Sequence, residues 1–142
     1  MLNSPETLAA LQQAAVALDA AQGHLAEVNL TIAGQLASYQ AGPDFAPHPF
    51  IDDVQVRSWP TPEGAKYLVL EFRSQAGVKS PTIARPMAST LHVISGSVLV
   101  RRIDQDNKLE LTEHGQHAHF AKDEQHGVTV LTATHSLVIY SK

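Results

Sequence analysis

Residues 89–140 read STLHVISGSVLVRRIDQDNKLELTEHGQHAHFAKDEQHGVTVLTATHSLVIY, and the fold turns on how that stretch divides. Val98 and Val100 fall on one side of an extended chain, and Leu109 and Leu111 on one side of another. That is the period of two expected of a strand with one buried face. Gly96, the run Asp104-Gln105-Asp106-Asn107, and Gly115 supply turns between the apolar runs. The spacing predicts strands over 89–95, 97–103, 108–112, 116–121, 127–132 and 135–140. Upstream, 51–58 and 66–73 read the same way, with Leu68, Leu70 and Phe72 on one face. Turn signals lie between them at Pro60-Thr61-Pro62-Glu63-Gly64 and after them at Gly77. Short strands at this spacing predict a mainly β domain over 51–142, an antiparallel sandwich or barrel.

The chain's 142 residues suit one domain with room for an extra element. Fourteen carboxylates against ten Lys and Arg give a net charge of −4, which excludes a generally basic nucleic-acid binder. The absence of Cys removes disulfide scaffolds, Cys-ligated zinc and thiol nucleophiles. No apolar run reaches the roughly 18 residues of a transmembrane helix. Residues 1–11 hold no basic residue, which argues against a secretory signal. The expected location is soluble, cytoplasmic or part of a particle.

Charge divides the chain. Its first basic residue is Arg57, preceded by Glu6, Asp19, Glu27, Asp44, Asp52 and Asp53. The expected organisation is a helical arm over 1–41, a Pro-rich linker over 42–50 and the barrel over 51–142. Residues 4–40 read as helix, with Ser4 as N-cap, Pro5 in the first helical position, Glu6 at the positive dipole end and Gly42-Pro43 as a stop. An unbroken helix of that length would extend roughly 55 Å, with Gly23 and Gly34 as candidate breaks. Leu8, Leu11, Ala15, Leu18, Gln22, Leu25, Asn29, Ile32, Leu36 and Tyr39 alternate steps of three and four. This heptad seam predicts a long coiled-coil-like arm that self-associates, with a trimer favoured and Gln22 and Asn29 setting register. The alternative is an amphipathic helix lying on its own barrel, or a hairpin folded at Gly23. In the linker, Phe45 and Phe50 are the expected anchors.

Residues 80–140 resemble the cupin superfamily, whose members share a small jelly-roll barrel. The family's second motif is a Gly, five residues, a Pro, one residue, a Gly, two residues and a His. Gly115 and His126 match its ends in register, while Ala121 and Asp123 replace the Pro and the second Gly. The first motif ends in a Glu, six residues and a Gly; Gly96 fits the Gly, and Ser89 stands where the Glu would be. The motif's upstream His-x-His falls near Thr82 to Arg85, where there is no His. The resemblance implies a metal site of three His and one Glu inside the barrel, of which His126 alone is present. One imidazole cannot hold Zn, Fe or Mn. No metal and no cofactor are therefore expected.

The His-rich run does not replace that site. In the cupin frame Ala118, Phe120, Leu91 and Val93 face inward, so His92, His117 and His119 face outward and are expected at a subunit interface. A metal held between subunits and one bound inside the barrel are the other possibilities for them. Candidate ligand-binding residues are His126, Arg102 and Arg85, with Arg101, Lys79 and Lys122 as further cations. His126 is also the candidate catalytic residue if the chain is an enzyme, paired with Tyr67, Tyr140 or Glu71. No G-x-S-x-G elbow or phosphate-cradling Gly-rich loop accompanies them.

These readings favour a non-catalytic oligomeric structural or assembly protein, whose arm joins cupin-like barrels. By analogy it would resemble a virus or phage decoration, fibre or adaptor protein. Its partners would be copies of itself and a larger protein assembly, with no nucleic acid or membrane. The alternative is a small-molecule-binding cupin acting as sensor or carrier, or a metal-free cupin enzyme using His126.

Overall fold

The computed structural model describes residues 4–22, 28, 32–34, 44–61 and 63–141. Helix α1 spans Pro5–Gln22. Seven strands follow: β1 (Ala46–Pro47), β2 (Val54–Ser58), β3 (Tyr67–Ser74), β4 (Ala88–Arg102), β5 (Lys108–Glu113), β6 (His117–Phe120) and β7 (His126–Ser141). They pair antiparallel in the order β1-β2-β3-β7-β4-β5, with β6 joined to β4.

The mainly β antiparallel architecture is as expected, but two pairs of predicted short strands are each one long strand. Gly96 does not turn the chain back. It sits in an irregular stretch of β4, with register shifts between Val93 and Val98, where the strand bends while staying paired to β7. Its φ is +95°, and a Cβ there would meet the Ala133 carbonyl oxygen at 2.4 Å. The two backbones therefore approach too closely for any side chain.

The bent strands have two buried faces. On the inward face Leu91, Val93, Val98, Val100, Phe120, Val130 and Val138 form one apolar cluster. On the outward face Tyr67, Val69, Ile94, Leu137 and Ile139 form another, together with α1. The helix starts where Ser4 accepts the Thr7 amide at 3.2 Å, and it lays Leu8, Leu11, Ala14, Ala15 and Leu18 on that outward face. Val28 and Ile32 are buried in the same cluster.

This arrangement corrects the reading of the seam. Leu8, Leu11, Leu18 and Ile32 are spent on the chain's own sheet, so they no longer point to a projecting coiled coil. Gln22 is the last residue of α1. Leu25, Asn29, Leu36 and the candidate break at Gly23 lie outside the described residues. The linker is corrected in part too: Phe45 is anchored by Arg57 and Arg73, whereas Phe50 is 90% exposed.

The inward and outward parity read from the sequence holds, but outward does not mean solvent. His92 faces outward and is only 2% exposed, in a region where α1 crosses β4 and β6. Its ring stacks on that of His117, its cross-strand partner, at 6.4 Å. Its Nδ1 is buried without a hydrogen-bond partner. His117 is exposed, and His119 is half-buried with Nδ1 3.0 Å from the Thr90 hydroxyl. Burial, then the charges of His117 and His114, push the His92 imidazole down to about 4.

Two outcomes are expected. Leu11→Ala should lower stability to urea by about 2–5 kcal/mol independently of protein concentration. Val16→Ala, half-exposed on the same helix, should stay within about 0.5 kcal/mol. A Leu11 effect that disappeared on dilution would return the seam to a contact between subunits. His92 titrates lower folded than unfolded, so the unfolded chain takes its proton first as the pH falls. The stabilising contribution of neutral His92 is complete above about pH 6.5 and lost as the pH falls to about 4, by about 3 kcal/mol. Urea titrations of the wild type and His92→Leu across that range should show the wild type losing more.

Candidate functional site

The inward face does not close on itself. It encloses a cavity of about 230 Å³, walled mainly by Leu70, Phe72, Leu91, Val98, Val128 and Val138. Polar groups gather at one end. There the segment before β4 crosses β7 and exchanges backbone hydrogen bonds between Ile83 and His126, at 3.1 and 3.3 Å. At Gly127 a Cβ would lie 2.7 Å from the Thr82 side-chain hydroxyl, with the Thr82 backbone 3.5 Å away. The crossing brings Arg85 into the cavity wall with His126, Tyr140 and Ser89.

His126 stacks on Phe120 with ring centroids 3.8 Å apart and planes 7° from parallel. Its Nδ1 lies 3.0 Å from the Glu124 carbonyl oxygen. A carbonyl can only accept, so Nδ1 carries the proton and Nε2 of the neutral ring keeps its lone pair. Burial pushes this imidazole below its ordinary value; the Glu124 carbonyl and carboxylate oppose the shift, and Arg85 and Arg102 reinforce it. The ring is therefore predominantly neutral at pH 7. Burial also raises the Tyr140 phenol, with Arg85 opposing, so that hydroxyl stays protonated. The end of the cavity thus offers a cation, a hydroxyl donor and a nitrogen lone pair.

Of the three residues singled out for ligand binding, His126 and Arg85 reach the cavity together and Arg102 does not. Arg102 is 7% exposed and fully engaged. Its Nε donates to Glu110 at 3.0 Å, one terminal nitrogen donates to Glu124 at 2.6 Å, and its guanidinium lies 4.8 Å from the Phe120 ring centroid. Its inward parity is real, but two carboxylates hold it in a structural role behind Phe120. Of the suggested partners for His126, Tyr140 shares the cavity, whereas Tyr67 and Glu71 belong to the outward face.

Sequence reasoning did not single out His48, which lines the cavity wall. Its Nδ1 accepts the Phe50 and Ile51 amides at 3.0 and 3.1 Å. No motif marked it, because its position depends on how the 44–50 segment folds back onto the barrel.

The donor set does not fit the metal implied by the cupin resemblance. Ser89 lines the cavity where the motif has a carboxylate, and Thr82 to Arg85 hold no imidazole. Both cavity imidazoles have Nδ1 committed to backbone. Among the described residues no group of three or more His, Asp or Glu converges. No helix among them is long and apolar enough to cross a membrane.

No family model matches the sequence, and no curated protein matches it. Solved structures do. The polyketide cyclase RemF from Streptomyces resistomycificus is 22% identical, over 68% of this chain and 70% of that one, with a TM-score of 0.56. An RmlC-like cupin from Shewanella frigidimarina is 12% identical, over 72% of this chain and 87% of that one, at 0.61. KdgF from a Halomonas species is 11% identical, over 70% and 87%, at 0.59. The chain therefore has the fold of these cupin-like structures.

Proposed function

We propose that this chain is a metal-independent, small-molecule-binding cupin, a sensor or carrier whose ligand lies inside the barrel. The observation that carries the reading is the hollow inward face: an apolar cavity whose Arg85, His126 and Tyr140 meet at one end. Convergence of a few polar groups in an apolar cavity is the usual form of a small-molecule site. The ligand's apolar body would lie against Leu91, Val98 and Phe120, its acidic end would meet Arg85 and the Tyr140 hydroxyl, and a hydroxyl or amine on it would donate to His126 Nε2. The assembly role loses its main support, since the described leucines of the seam are buried within one chain.

A second reading, acid–base catalysis, is favoured by the neutral His126 sharing its cavity with the protonated Tyr140. His126 would accept a proton at Nε2 and Tyr140 would donate one. The fold is shared with a polyketide cyclase, which shows that such a barrel can house an enzyme.

The test uses 2-naphthoate as a fluorescent probe carrying an apolar body and one carboxylate. Saturable binding is expected, unchanged by a chelator. Arg85→Gln and Tyr140→Phe should each weaken it about tenfold or more while leaving the thermal transition cooperative. Absence of saturable binding, loss of binding with chelator, or indifference to both substitutions would overturn the reading.

A further inference from the structure

The outward face carries a second polar cluster, beyond the patch that α1 covers. Strand register places Gln55 opposite Arg73, Arg73 opposite His135, and His135 opposite Ser95. Directly paired residues hold their Cβ atoms about 4.5–5.5 Å apart, so the four form one row across β2, β3, β7 and β4. All four line one open groove, which Asp53 also lines.

Behind the row lies Glu71, completely buried. Its carboxylate accepts from Arg57 Nε at 2.8 Å, Trp59 Nε1 at 3.0 Å and His135 Nε2 at 2.5 Å. Burial pushes this carboxyl up, but the bonds from His135, Arg57 and Trp59, with the Arg57 charge, hold it below its ordinary value. Because the carboxylate can only accept, the His135 proton lies on Nε2, and Nδ1 is the nitrogen left for the groove. The Phe45 ring faces the guanidinium groups of Arg57 and Arg73 at 4.6 and 4.3 Å and meets His135 edge-on. Arg73 is exposed and forms no ion pair with a carboxylate among the described residues. A guanidinium and an imidazole are thus held side by side at the floor of a groove, the imidazole oriented by a buried carboxylate and the guanidinium by an aromatic ring.

We propose that this groove is a second small-molecule site, separate from the barrel interior, that binds a small zwitterion with the chemistry of a free amino acid. The ligand carboxylate meets the Arg73 guanidinium, and its ammonium group donates to His135 Nδ1. The ammonium group also lies toward Asp53. That same aspartate disfavours a dianion such as phosphate. Glu71 is a positioning residue: it holds the His135 ring so that Nδ1 faces the groove.

The experiment follows the side-chain nitrogen resonances of His135, Arg73 and His126 by NMR during titration of the whole chain with glycine, acetate and inorganic phosphate. Glycine is expected to shift His135 and Arg73 saturably and to leave His126 unmoved. Arg73→Gln should weaken glycine binding about tenfold. Asp53→Asn should reduce the advantage of glycine over acetate. Both substituted residues are exposed, so the fold is retained. No saturable shift with any probe, a glycine shift unaffected by Arg73→Gln, or a shift at His126 instead of His135 would each overturn the site. Phosphate binding more tightly than glycine would overturn the zwitterion assignment.

Discussion

The contact on which the rest of the fold depends is the docking of α1 on the outward face of β4, β7 and β6. Without it Tyr67, Val69, Ile94, Leu137 and Ile139 would form one apolar surface. Soluble proteins seldom expose such a patch uncovered. Covering it gives the sheet a densely filled layer on its convex side. The inward side is then free to remain hollow, because the strands do not rely on it alone for burial. A barrel stabilised from outside can enclose about 230 Å³ that a solid core would fill. The helix therefore supports the hollow barrel although none of its described residues lines the cavity.

The strand pattern made the barrel legible. Val98 and Val100 mark the deeply buried face of β4, whereas Leu68, Leu70 and Phe72 mark the face of β3 that lies toward the hollow interior and is buried less than Tyr67, Val69 and Glu71. Gly115 and His126 placed the cupin frame, and that frame placed Leu91 and Phe120 inward, as they are. The seam was misleading for a physical reason. A helix on a sheet and a helix in a coiled coil both bury one stripe at steps of three and four, so Leu8, Leu11 and Leu18 read alike in either setting. The few charges along the arm reflected burial against the chain's own sheet. His92 was misplaced by the same blind spot: parity gives a side chain's direction and says nothing of what covers it.

Buried charge was the least legible element. Arg102 and Arg85 are both cations near the end of the barrel, yet one is structural and the other lines the cavity. Glu110 and Glu124, which neutralise Arg102, lie 8 and 22 residues away along the chain. No local spacing announces such a pairing. Glu71 is similar, since its donors come from β2 and β7. The one sequence sign was its parity: Tyr67, Val69 and Glu71 share a face, and a carboxylate in that company must find donors or lose its charge.

If the barrel binds a small molecule as proposed, recognition follows from where its polar groups lie. In a cupin with a metal, ligands converge from several strands on the interior. Here Ser89 and apolar side chains occupy that region, and they can neither hold an ion nor fix the orientation of a charged group. His48, Ser74, Ser80, Thr134 and Ser136 also line the cavity, but Arg85, His126 and Tyr140 come together where the segment before β4 pairs with β7. A ligand in such a site would be held chiefly by its polar head, with its body selected mainly by size and shape. Discrimination follows the same division. One methylene on the body is worth about 1–3 kcal/mol, whereas a head that leaves Arg85 or His126 unpaired is rejected more strongly.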